Sequence, residues 1–111
     1  MNRNQLIDRF ISNLSNAVLH KLLEKAIEQE EIAKRYNKEI LNSWEIAKRY
    51  REKINPTIPP LQERDVSEIR RKLINKVKNE LQMRIARGYK NLDITLVEDF
   101  VEKALKELQI I

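Results

Sequence analysis

A chain of 111 residues with a net charge of +5, 35% charged side chains and a single glycine suits one helical domain, because strand-rich folds need tight left-handed turns that glycine supplies. The absence of cysteine excludes disulfides, thiolate metal ligands and cysteine nucleophiles. One glycine cannot build a phosphate-cradling loop, and one histidine with no cysteine beside it offers neither a metal cluster nor a catalytic pair.

The expectation from composition is therefore a non-enzymatic protein with no catalytic residue, no metal site and no cofactor. Nothing in the chain reads as eighteen consecutive apolar residues, and MNRNQLIDRF has no signal-peptide core. A cytoplasmic location without membrane contact is expected. Leu, Ile, Val and Phe total 34 residues, enough for a core.

In chain order, Leu6, Ile7, Phe10, Ile11, Leu14, Val18, Leu22 and Leu23 recur at helical spacing. Ser12, Asn13, Ser15 and Asn16 either cap a new helix or face water, with the apolar phase unbroken across them. From Val18 the stripe runs on through Leu19, Leu22, Ala26, Ala33, Tyr36, Ile40, Ala47, Tyr50 and Ile54. One long helix over 18–54 would have to bend, dimerise or pack on two neighbours. Asn42 with Glu45 has capping-box spacing, so a break at Asn42-Ser43 is the other expectation.

The hexapeptide EIAKRY occurs at 31–36 and again at 45–50, two heptads apart. On one continuous helix the copies are offset by only about 40°. Ala33, Tyr36, Ile40, Ala47 and Tyr50 then repeat an inward groove beside Trp44. Such a groove predicts a helix interface, either a homo-oligomer or a helical protein partner. Lys34, Lys48, Arg35 and Arg49 repeat an outward basic edge.

Pro56, Pro59 and Pro60 stop this unit, giving an N-terminal helical unit over 1–54, a connector over 55–65 and a helix hairpin over 66–111 within one domain. Asp65 with Glu68 predicts the next capping box and Gly88 the next stop. The apolar side between them is Val66, Ile69, Leu73, Ile74, Val77, Leu81 and Ile85. Thr95 with Glu98 opens a last helix whose inward face is Val97, Phe100, Val101, Ala104, Leu105 and Leu108. Asp99–Lys103 and Glu102–Lys106 are expected i,i+4 pairs on its wet side. The fold class is all-α: a small helical bundle with long N-terminal helical segments, a Pro-rich connector and a C-terminal antiparallel hairpin.

The positive charge sits in the middle of the chain, while residues 93–111 carry more acid than base. Lys34, Arg35, Lys38, Lys48, Arg49 and Arg51 form one basic cluster, and Arg70, Arg71, Lys72, Lys76 and Lys78 belong to a second. Cations gathered on one accessible surface neutralise phosphates, so DNA or RNA held through its backbone is the expected partner. The wet face of an ordinary helix yields similar patterns through snorkelling side chains. His20 reads as a structural side chain and Trp44 as a packing or interface anchor.

Residues 43–60, SWEIAKRYREKINPTIPP, resemble the second helix and exit of an archaeal RNase P protein subunit. Glu45, Ile46, Ala47, Lys48, Arg49, Ile58 and Pro59 carry the likeness, which implies RNA as the anion. It covers under a fifth of the chain, and the cysteine zinc ribbon that follows in that family has no counterpart among these residues. No family is assigned from it.

Overall fold

Asn2 opens the first helix with a reciprocal cap. Its side chain accepts the Gln5 N–H at 2.9 Å, while the Gln5 side-chain oxygen accepts the Asn2 N–H at 3.1 Å. The computed structural model describes residues 1–54 and 61–111, and every regular element among them is helical. Helix α1 spans Arg3–Lys25, α2 Glu30–Lys53 and α3 Glu63–Ala86; a short 3₁₀ turn at Ile94–Leu96 leads into α4, Val97–Glu107. The expected all-α bundle is what forms. The proline connector expected from Pro56, Pro59 and Pro60 lies outside the described residues.

No break occurs near Ser12: the buried stripe of Ile11, Leu14 and Val18 carries the helix through, and the polar side chains there fold back onto their own helix. Asn13 donates to the Arg9 carbonyl at 2.8 Å and Ser15 to the Ser12 carbonyl at 2.9 Å. Neither expectation for 18–54 holds: the chain turns at 26–29 instead, and α2 runs unbroken through Asn42-Ser43. Ala26 and Ile27 close α1 with short i→i+3 bonds to Leu23 and Glu24. A single helix would have left Ile40 and Ala47 with nothing to pack on. Folded back, α2 buries both against the core, and the two copies of EIAKRY share one helix.

Asp65 does not cap α3. The helix begins two residues earlier, and Arg3 of α1 takes the Asp65 carboxylate at 2.6 Å, which also lowers the Asp65 pKa. The connector is correspondingly shorter than 55–65. Gly88 does end α3, at φ 101°, in a Schellman turn. The Gly88 N–H reaches the Ile85 carbonyl and the Tyr89 N–H the Arg84 carbonyl, each at 3.0 Å. Asp93, rather than Thr95, caps the start of the last helical segment, accepting the Thr95 N–H at 2.9 Å. The acceptor two residues upstream reaches a free donor that the Thr95 hydroxyl cannot.

Helix α1 is central. Phe10 and Leu14 are fully buried, and α2, α3 and α4 each pack on it. Val66, Ile69, Leu73, Val77 and Leu81 of α3 meet Val97, Val101 and Leu105 of α4 in the same core. Lys78–Glu98 and Arg70–Glu102 ion pairs fix α3 and α4 antiparallel, as expected of the hairpin. Glu102 therefore faces Arg70 rather than Lys106, and Ile85 lies 40% exposed beyond the end of the core. Phe100 is half-buried rather than fully inward.

Candidate nucleic-acid interface

Helix α2 packs along α1 through one narrow face and leaves the remainder to solvent. Ile40 and Ala47 are buried on the inner side, with Ala33, Tyr36, Trp44 and Tyr50 half-buried around them. The Tyr36 ring stands 5.5 Å from that of His20 on α1. The residues expected to receive a second chain thus face α1 of the same chain. A partner helix seated on all six would have to displace α1.

The side of α2 opposite Ile40 and Ala47 holds Arg35, Lys38 and Arg49 of the first basic cluster, with Lys48 on the flank next to Trp44. Arg35, Lys38, Lys48 and Arg49 are exposed, and among the described residues none forms an ion pair. Lys34 lies 3.7 Å from Glu30, but both side chains are at least three-quarters exposed, so the pair holds the ammonium only weakly. From Arg35 to Arg49 the axial reach is about 21 Å at 1.5 Å per residue. Glu31, Glu45 and Glu52 also lie on the wet side of α2 and lower its net charge.

Arg51 departs from the cluster. It is 7% exposed, and its guanidinium donates to three backbone carbonyls: Leu108 at 3.0 Å, Ile54 at 2.6 Å and Gln109 at 2.9 Å. Burial pulls its pKa below the ordinary arginine value. Its donors are committed inside the protein, which removes it from the phosphate-contacting set. The sequence held the signal: Arg51 lies four residues after Ala47, so the two share a helix face.

The second cluster is largely neutralised. Arg70 grips Glu102 with two nitrogens, Lys72 reaches Glu68 at 2.9 Å, and Lys78 reaches Glu98 at 3.1 Å. Arg71 and Lys76 remain exposed without a carboxylate partner among the described residues. They lie on α3 rather than beside the α2 set, so the structure separates the two clusters.

His20 is enclosed by Tyr36 and Glu39 of α2 and by Lys76, Glu80 and Arg84 of α3. Its Nδ1 is buried without a hydrogen bond, and the nearest carboxylate oxygen, on Glu39, is 3.5 Å away. Burial lowers the His20 pKa more than Glu39 raises it. Sequence reasoning also missed another basic group, Lys21, Lys25 and Lys103, which lines a groove between α1, α2 and α4 beside Phe100. Its visible trace was the Lys21/Lys25 pair at i,i+4 beside the apolar stripe. Among the described residues no helix is long and apolar enough to cross a membrane. No family model, no curated protein and no solved structure matches the chain.

Proposed function

We propose that this chain is a non-enzymatic accessory protein that holds nucleic acid through its phosphate backbone, using the outer face of α2. One observation carries the reading: Arg35, Lys38, Lys48 and Arg49 are exposed on a single helix and free of ion pairs among the described residues, whereas Arg70, Lys72 and Lys78 are neutralised. Unpaired cations on an unbroken 24-residue helix present charge to a polyanion at little desolvation cost. The mode is non-specific, since the exposed face carries cations and carboxylates rather than an arrangement of base-reading side chains. A side-by-side titration of duplex DNA and duplex RNA at several salt concentrations tests it. Affinity should fall steeply as salt rises from about 50 to 200 mM. Absence of binding at the lower salt would overturn the reading.

A further inference from the structure

Helices α2 and α4 each pack on α1 but not along one another, and the gap between them is an open groove of about 440 Å³. That volume lies in the range of small-molecule sites, about 300–1,000 Å³, and gaps between bundle helices are a recurrent place for them. The small side chains of Ala17 on α1 and Ala104 on α4 leave the space open. Val18, Ile40, Leu41 and Trp44 supply apolar walls. Leu41 is 59% exposed, a large apolar side chain turned to water on the groove's edge.

The charges in this groove are gathered at one end. Lys21, Lys25 and Lys103 are exposed, and among the described residues none of them has a carboxylate within ion-pair distance, although the Lys25 charge helps to lower the Asp93 pKa from further off. Lys25 and Lys103 both approach Phe100, with Nζ atoms 5.6 and 6.0 Å from the ring centroid. The ring attracts each cation without neutralising it, so like charges converge where an anion could draw them together. The Lys25–Phe100 contact sets the end of α1 beside the start of α4. Going away from it, α1 passes Lys21 and then Val18 and Ala17, while α4 passes Lys103 and then Ala104. Glu107, the one acidic residue in the lining, comes one turn after Lys103.

We infer that this groove binds a single-chain amphiphilic anion, an alkyl carboxylate. The head group meets Lys21, Lys25 and Lys103, and the tail lies along Val18, Leu41 and Trp44. A cationic end joined to an apolar trough fits this chemistry and disfavours a cation or a short polar anion. The site uses none of Arg35, Lys38 and Arg49, and only Leu41, which shares its side of α2 with Lys34 and Lys48, borders the face of the nucleic-acid reading.

Trp44 is the single tryptophan of the chain and lines the groove, so its emission reports from there. Full-length protein is titrated with sodium dodecanoate below its micelle concentration, followed by Trp44 fluorescence and by calorimetry. A saturable one-to-one response is expected, at least tenfold weaker in the triple variant Lys21→Gln/Lys25→Gln/Lys103→Gln and in Leu41→Glu. These positions are exposed, so helicity by circular dichroism should be unchanged. Dodecyltrimethylammonium, with the same tail and opposite charge, and butyrate, with the same head and no tail, should give no saturable response. An equal response to the cationic amphiphile, unchanged affinity in the triple variant, or no calorimetric and fluorescence signal with dodecanoate overturns the assignment. Neutralising Arg35 and Arg49 should leave dodecanoate affinity intact, so each reading can fail without the other.

Discussion

Arg51 Nε donates to the Leu108 carbonyl at 3.0 Å, joining the last turn of α2 to the end of α4 across 57 positions of chain. Leu108 is the C-cap of α4, and Ile54, whose carbonyl receives Nη1, is the C-cap of α2. Both carbonyls belong to helix ends, where intrahelical donors run out and the dipole is negative. One buried cation therefore satisfies two helix termini together. The same tail is also bonded from the other side, since the Leu61 N–H reaches the Ile110 carbonyl at 3.2 Å.

Replacing Arg51 should accordingly damage stability rather than binding. Arg51→Met leaves two buried carbonyls and one part-buried carbonyl without their donor and should cost about 3 kcal/mol. Arg51→Lys should recover little, because one ammonium cannot match the spread of a planar guanidinium. Urea unfolding at constant m-value measures both. A loss under about 1 kcal/mol would show that water or rearranged backbone replaces the staple.

His20 gives the fold a pH dependence whose sign follows from burial. Its folded pKa lies below the ordinary 6.5, so above that pH the ring is neutral folded and unfolded, and its contribution is complete. As pH falls below 6.5, the unfolded chain binds a proton that the folded chain resists, and stability declines until the folded pKa is passed. His20→Gln should flatten this segment of the stability curve. Glu39→Gln should lower the folded pKa further by removing the carboxylate 3.5 Å away. An NMR titration midpoint for His20 above 6.5 would contradict the argument.

Gly88 and Gln109 occupy equivalent places in two Schellman turns, yet only one is glycine. Gln109 has φ 57°, and its N–H and that of Ile110 bond back to Lys106 and Leu105 as those of Gly88 and Tyr89 do to Ile85 and Arg84. A side chain in the left-handed region costs about 1 kcal/mol, so Gln109→Gly should raise stability by somewhat less than that. Gly88→Ala should lower it by about 1 kcal/mol through backbone strain alone, because a Cβ there would meet no atom within 4 Å. Thermal unfolding of the two variants should shift in opposite directions.

Helix periodicity made the core of α1, α3 and α4 legible, because apolar side chains at 3.6-residue spacing leave few other ways to be buried. The turn at 26–29 was not. It contains neither glycine nor proline, and Leu19, Ala26 and Ala33 happen to keep one heptad phase through it. Only the change from Lys25 to Glu30 and Glu31, a basic helix end followed by an acidic start, marks it in sequence. Without that turn, the Ala33–Tyr50 face looks like a surface awaiting another chain. With Ala47 fully buried, Ala47→Arg should unfold the protein rather than merely dissociate an oligomer. Tertiary pairing was equally hidden: Asp65 and Glu102 read as local helix chemistry until Arg3 and Arg70 approached from elsewhere in the chain.

The two basic clusters should separate experimentally as they do in space. Each phosphate that the protein ceases to neutralise in a duplex complex reduces the slope of log affinity against log salt by about 0.9. Changing Arg35, Lys38, Lys48 and Arg49 together to Gln should therefore flatten that slope by up to about 3.6, with little change in unfolding. Changing Arg70, Lys72 and Lys78 to Gln should leave the slope within about one unit of the parent, because those cations already face Glu102, Glu68 and Glu98. Its effect should appear in stability instead, at up to about 1 kcal/mol for each exposed pair. A slope that responds equally to both sets would mean that binding follows net charge alone. It would then have no connection to the unpaired face of α2.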